Sequence, residues 1–241
     1  MSQAAGRRAV PPRRTAVPLA AVGAVLLAAG CVLAWLASQQ EAWLRARDLP
    51  LNRWFFETGS DNPALHAIAT GVSFVGAGEV TVPVLLAVLV GLLAFRQWRW
   101  AVFVLVSSQA GFLLSNTIKH SVARPRPPFT VVAASQVDMS FPSGHTFAGV
   151  ATWGAFAIVA WYLFRRPWST AIAVALATFG LLNGPCRLLL GKHWVSDVLG
   201  GLLLGFGWLL LVWAAFLVTL APRPSADPPP DPEPGRLDVT A

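Results

Sequence analysis

The chain has 241 residues, 55% of them hydrophobic and only 12% formally charged, about half the share expected of a soluble domain. Its net charge is +7, but the arginines come in pairs between apolar segments rather than along one basic face, which is how membrane topology is written and which argues against nucleic acid as a partner. The two cysteines, Cys31 and Cys186, lie in or beside apolar stretches, so a secreted disulfide scaffold is excluded and no Cys/His cluster offers a zinc site.

Arg7, Arg8, Arg13 and Arg14 precede an apolar run from 16 to 38, long enough to cross a bilayer at about 20 residues per crossing. The run lacks a small-residue cleavage site at its end and continues past Cys31 through Leu36, so it is expected to be retained as a first span behind a basic cytoplasmic N-terminus, residues 1–15. The stretch from Glu41 to Asp61 reads as a polar loop, and the shorter apolar stretch 64–75, interrupted by His66 and glycines, as interfacial or re-entrant. Further apolar segments follow at roughly 79–95, 100–118, 144–164, 168–187 and 195–221. The expectation is an all-α, six-transmembrane-helix bundle forming one membrane domain over 16–221, with both termini on the same side. Gly201 and Gly205 in the last span are expected to serve packing inside the bundle. The tail 222–241, rich in Pro and Asp, cannot bury apolar surface and is expected to be a disordered cytoplasmic extension.

The N-terminal cluster, Arg96 with Arg99, Arg165 with Arg166, and Arg223 all fall on one side of this topology, which the positive-inside rule assigns to the cytoplasm. Trp98, Trp100, Trp161, Tyr162 and Trp168 flank these pairs and are expected to anchor at the headgroup level. The opposite, outer side then carries three segments with the polar groups that the rest of the chain avoids. They are Lys119 with Arg124, Arg126 and Pro127; the run Pro142-Ser143-Gly144-His145; and Arg187, His193 and Asp197.

In this order and spacing, Lys119-x6-Arg126-Pro127, Pro142-Ser143-Gly144-His145 and Arg187-x5-His193-x3-Asp197 resemble the three signature motifs of the phosphatidic acid phosphatase type 2 superfamily, which includes lipid phosphatases, some bacterial acid phosphatases and the vanadium haloperoxidases. The resemblance implies a membrane lipid phosphatase acting through a phospho-histidine. It departs from the pattern at Cys186, where the family commonly has Ser before the arginine; a thiol is the poorer hydrogen-bond donor.

The residues make the same case chemically. A phosphoryl group spreads negative charge over its oxygens during transfer, and Lys119, Arg126 and Arg187 supply a cationic cradle for it. Ser143 offers a hydroxyl, Gly144 removes a side chain where backbone must approach an oxyanion, and the helix start offers free amides, with Pro142 suited to its first turn. His193 is expected to be the nucleophile and Asp197, one helical turn on, to hold its other ring nitrogen. His145 is expected to protonate the departing oxygen and then activate water. Arg124, outside the fixed motif positions, is assigned a headgroup or loop contact, and His66 and His120 plain interfacial roles.

No metal-binding carboxylate cluster appears in the sequence, so no cofactor is expected. The expected partner is a membrane lipid phosphate or diphosphate: phosphatidate, phosphatidylglycerol phosphate, or a polyprenyl carrier such as undecaprenyl diphosphate. Phosphotransfer to an acceptor lipid, and a non-catalytic lipid-phosphate binder or transporter, are the competing readings. A binder needs no nucleophile, orienter and acid together, which weighs against it.

Overall fold

A computed structural model of the chain describes residues 8–39, 42–129 and 139–221; the tail assigned to 222–241 lies outside the described residues. The described residues form α1 (Ala16–Ser38), α2 (Ala42–Asp61), α3 (Pro63–Val75), α4 (Gly78–Ala94), α5 (Trp98–Val122), α6 (Gly144–Leu163), α7 (Trp168–Leu189) and α8 (Val195–Thr219), with no strand among them. By length and composition α1, α5, α6, α7 and α8 can each cross a membrane, and α3 with α4 meets the same measure only as a pair bent by 49°, a broken span or a re-entrant loop, so the crossings number five, or six with that pair. The all-α bundle read from the apolar runs is the observed architecture.

The helix α1 runs along α8 through a seam of small residues, Ala16, Gly23, Gly30 and Ala37, spaced by seven so that they return to one face. The rest of α1 turns apolar side chains outward, with Val17 75% and Trp35 61% exposed, as a lipid-facing helix requires. Gly201 also serves packing inside the bundle: a methyl there would stand 2.9 Å from the Ser143 carbonyl oxygen. One at Gly200 would overlap the Phe141 ring, so the two bare positions let the 141–143 segment lie directly on the start of α8.

The two ends of the bundle differ. At one end Trp100 packs against Phe216 at 4.7 Å and Trp213 at 5.9 Å between ring centroids, and Tyr162 stacks on Trp213 at 5.5 Å. Such pairs contribute about 0.5–1.5 kcal/mol each beyond area burial. Val10, Leu220 and Ala221 join the same apolar cluster, so the first and last described segments meet there. Arg8 lies with its guanidinium 3.4 Å from the Trp161 ring centroid and donates to Ser169 and Thr170, each at 2.7 Å. Trp100 therefore departs from the anchoring role expected of it: it is 3% exposed and part of the core, whereas Trp98 and Trp168 are 50% and 70% exposed. At the other end α2, α3 and the α5–α6 and α7–α8 connections converge.

The segment read as a polar loop at 41–61 is instead helical over Ala42–Asp61. Its buried side is polar, with Asp48 and Asn52 one turn apart at 5% and 0% exposure, while Trp43, Leu51 and Trp54 face outward. The apolar face points away from the protein interior, which inverts the pattern by which a water-soluble helix is recognised.

Candidate active site

Three sequence segments meet at the second end, and the start of α8 is their hub. The Asp197 carboxylate, 0% exposed, accepts from the Trp194 amide at 2.9 Å and from Arg124 at 2.7 Å, and its Oδ2 stands 3.4 Å from His193 Nδ1. The last separation is long for a formed hydrogen bond and reads as an electrostatic contact that aligns the ring. On the other side of the ring, His193 Nε2 faces the Arg126 guanidinium at 3.5 Å. A carboxylate beside Nδ1 and a permanent donor beside Nε2 together select the Nδ1–H tautomer, leaving the Nε2 lone pair on the cationic side.

The backbone of this segment is pinned from two directions. Asn52 of α2 donates to the His193 carbonyl at 2.6 Å and accepts from the Val195 amide at 3.0 Å. Arg126 donates to the Lys192 carbonyl at 2.5 Å, and the Trp194 indole donates to the Pro125 carbonyl at 2.8 Å. His193, 1% exposed, is thus buried outside the membrane-spanning segments, and burial pushes its imidazole down to about 4 despite the opposing pull of Asp197. It is held neutral at physiological pH.

The Ser143 amide donates to the Asp197 carbonyl at 3.0 Å, which joins the second motif to the third. The Ser143 side chain is fully buried and accepts from Thr146, at 3.5 Å from the amide and 2.9 Å from the hydroxyl. It caps α6 and is not on the wall of either cavity described below. Pro142 precedes this cap and so sits outside the first turn of α6 rather than in it. Gly144 and His145 open the helix.

His145 borders two cavities. The larger, about 690 Å³, is walled by Arg187, Lys192, His66, Thr70, Ser73 and Glu79 with His145. The second, about 370 Å³, places Lys119, Gly144 and His145 against an apolar wall that includes Val82, Leu85, Phe112 and Phe147. Lys119 also donates to the Met139 carbonyl at 3.1 Å. His66 is therefore more than a boundary residue, because it lines the approach to His145.

The imidazole of His145 is oriented by the break between α3 and α4. At that break the Gly76 amide bonds the Val72 carbonyl, the Ala77 amide skips to Phe74, and the Thr81 hydroxyl takes Val75. The Ser73 carbonyl is passed over, as happens at a helix end, and His145 Nε2 lies 3.2 Å from it. A carbonyl only accepts, so Nε2 carries a proton there.

Arg124 corrects the sequence reading. Expected at a headgroup or loop contact, it is instead 2% exposed and binds Asp197 at 2.7 Å, Asp48 at 2.8 Å and the Ser196 hydroxyl at 2.6 Å, on α2 and the start of α8. A cation this deeply buried must be paired, and two carboxylates and a hydroxyl do so. Asp48, Asn52 and Ser196 escaped the sequence reading. The one available signal was Asp48 and Asn52 at i,i+4 in a stretch taken for loop.

The fold and the site define a helical membrane protein built around a neutral buried histidine in a cationic surround. Residues 97–219 match the PAP2 superfamily. Phosphatidylglycerophosphatase B of Bacillus subtilis is 27% identical over 155 residues, covering 62% of this chain and 74% of that protein. Lipid A 1-phosphatase of Rhizobium etli is 34% identical over 111 residues, 42% of this chain and 44% of that one. A solved structure, described as the first transmembrane PAP2 type phosphatidylglycerolphosphate phosphatase from Bacillus subtilis, superposes with a TM-score of 0.67 at 24% identity, over 79% of this chain and 93% of that one. The chain belongs to the PAP2 superfamily. It is a multi-pass membrane phosphatase of that family.

Proposed function

We propose that this phosphatase removes phosphate from a membrane lipid phosphate or diphosphate through a phospho-histidine at His193. The observation that carries the reading is the placement of His193 between Asp197 at 3.4 Å and Arg126 at 3.5 Å. The names of the relatives support a lipid substrate: phosphatidylglycerol phosphate for one and lipid A for the other. Phosphatidate and polyprenyl carriers such as undecaprenyl diphosphate belong to the same chemical class.

In the first step His193 Nε2 forms a bond to phosphorus while the P–O bond to the lipid breaks. Lys119, Arg126 and Arg187 hold the equatorial oxygens, with Gly144 and the capped start of α6 behind them. His145 enters this step doubly protonated, a form that the negative charge of the bound phosphate favours, and gives the departing oxygen its Nδ1 proton while Nε2–H stays on the Ser73 carbonyl. In the second step His145 Nδ1 takes a proton from water, the oxygen attacks phosphorus and the P–N bond breaks. Ser143 acts through its cap rather than by touching the phosphate. Both steps use only this chain's own charges.

Among the described residues Arg96 with Arg99 and Arg165 with Arg166 follow the ends of α4 and α6 away from the site, which supports an outward-facing site and cytoplasmic termini in a domain spanning 16–221, while Arg45, Arg47 and Arg53 of α2 lie at the site end. Phosphate release is to be measured over lipid monophosphates and diphosphates with wild type and His193→Ala in parallel. Turnover by His193→Ala at the wild-type rate would sink the mechanism. Addition of candidate acceptor lipids separates hydrolysis from phosphotransfer.

A further inference from the structure

The buried charges behind His193 do more than hold α2 in place. Asp48 Oδ1 accepts from the Ser196 amide at 3.1 Å, and Oδ2 accepts from Arg124 at 2.8 Å and from the Ser196 hydroxyl. Arg124 in turn bonds Asp197 Oδ1 at 2.7 Å, which leaves Oδ2 for the Trp194 amide and the His193 ring. None of Asp48, Arg124, Ser196 or Asp197 walls either cavity. Among their side chains, Asp197 is the one in contact with a proposed reacting group, the His193 ring.

With His193 neutral, Asp48, Arg124 and Asp197 sum to one net negative charge. An Arg124–Asp197 pair alone would sum to zero. That difference matters when Nε2 bonds phosphorus, because the imidazole ring then carries positive charge while Arg126 and Arg187 stand on its other side. A preformed negative charge behind the ring is worth most at that moment, since Asp48, Arg124, His193 and Asp197 are all buried and little reorganisation is needed. Asn52, the other α2 residue on this segment, is neutral and holds only backbone.

We propose that Asp48 is a positioning residue of the reaction: it offsets the charge of Arg124 so that Asp197 confronts His193 with a full negative charge as the ring is phosphorylated. The proposal rests on the phospho-histidine reading. It predicts a loss confined to the transition state, whereas a residue that merely docked α2 would weaken binding and stability together.

The full-length chain in detergent or lipid vesicles is compared as wild type, Asp48→Asn, and the double variant Asp48→Asn with Arg124→Gln, which restores the net charge of the cluster. Asp48→Asn is expected to lower kcat by about 10–100-fold with KM within about twofold. The double variant is expected to recover to within about tenfold of wild type. A double variant slower than Asp48→Asn, or an Asp48→Asn with wild-type kcat, overturns the proposal. If Asp48→Asn does not fold, the double variant decides alone: kcat below about one hundredth of wild type overturns it.

Vanadate and inorganic phosphate binding, read by tryptophan fluorescence, need no turnover. Asp48→Asn is expected to lose about tenfold or more in vanadate affinity while phosphate affinity stays within about twofold. Equal losses for both anions overturn the proposal. A wild type that hydrolyses no lipid phosphate sinks the proposed function instead, and the vanadate comparison still judges Asp48.

Discussion

His145 Nε2 lies 3.2 Å from the carbonyl oxygen of Ser73, a helix-end acceptor that exists because the chain breaks between α3 and α4. The bend thus supplies the partner that orients the His145 imidazole, the proposed acid–base group, on another helix. Gly76 sits in the break, where an added methyl would overlap the Asn183 side-chain oxygen, whereas one at Gly71 meets nothing within 4 Å. Gly76→Ala is expected to lower kcat at least about tenfold by displacing the Ser73 carbonyl, and Gly71→Ala to leave it unchanged. Steady-state kinetics of the two variants check this; equal behaviour would show that the break does not orient His145.

The proposed nucleophile and its proposed orienter should separate in severity. His193→Ala is expected to lose more than about 10³-fold in kcat, and Asp197→Asn about 10²-fold, since the ring stays bracketed by Arg126. Single-turnover phosphate release on the purified variants is the measurement.

Acidity should reveal the buried imidazole twice. His193 is lowered to about 4, so the acid limb of kcat/KM is expected near pH 4 rather than at the ordinary histidine value. Between these two values the unfolded chain binds a proton that the folded chain excludes. Stability is therefore full above the unfolded pKa and declines as pH falls from about 6.5 to about 4, by up to roughly 3 kcal/mol. Thermal melts of wild type and His193→Ala across that window check the sign: the variant's pH slope should be the shallower.

Arg124 tests the buried pairing directly. Arg124→Met leaves Asp48 and Asp197 facing each other without their cation, at an expected cost of about 3–5 kcal/mol. A thermal midpoint within a degree or two of wild type would contradict the ion pairs at 2.8 and 2.7 Å.

Among the described residues no group of three His, Cys, Asp or Glu side chains is arranged to hold a metal ion. With Lys119, Arg126 and Arg187 as the proposed cations of the cradle, phosphate release is expected to persist in EDTA and to fall in vanadate. Activity that disappears with chelation and returns with a divalent cation would contradict this.

The crossings were legible because about 20 apolar residues can do little else in a chain so poor in charge. The spacing of Lys119, Arg126, His145, Arg187, His193 and Asp197 was legible because each side chain carries chemistry at a fixed interval. The supports were not. The apolar side of α2 faces outward and its polar side faces the site, so Asp48 and Asn52 looked like surface residues. Arg124 looked like a headgroup or loop contact because its partners lie 76 and 73 residues away. The Ser73 carbonyl belongs to the backbone and has no signature in residue type.

The clasp between α2 and the start of α8 also orders the protein's birth. Asp48 waits 148 residues for Ser196 to be synthesised. At usual ribosome speeds that interval is roughly 7–30 s, during which the Asp48 carboxylate stands without its counterpart. A nascent chain that lacks the final crossing therefore holds Asp48 and Asn52 without the Ser196 and Val195 amides that they bind in the finished fold.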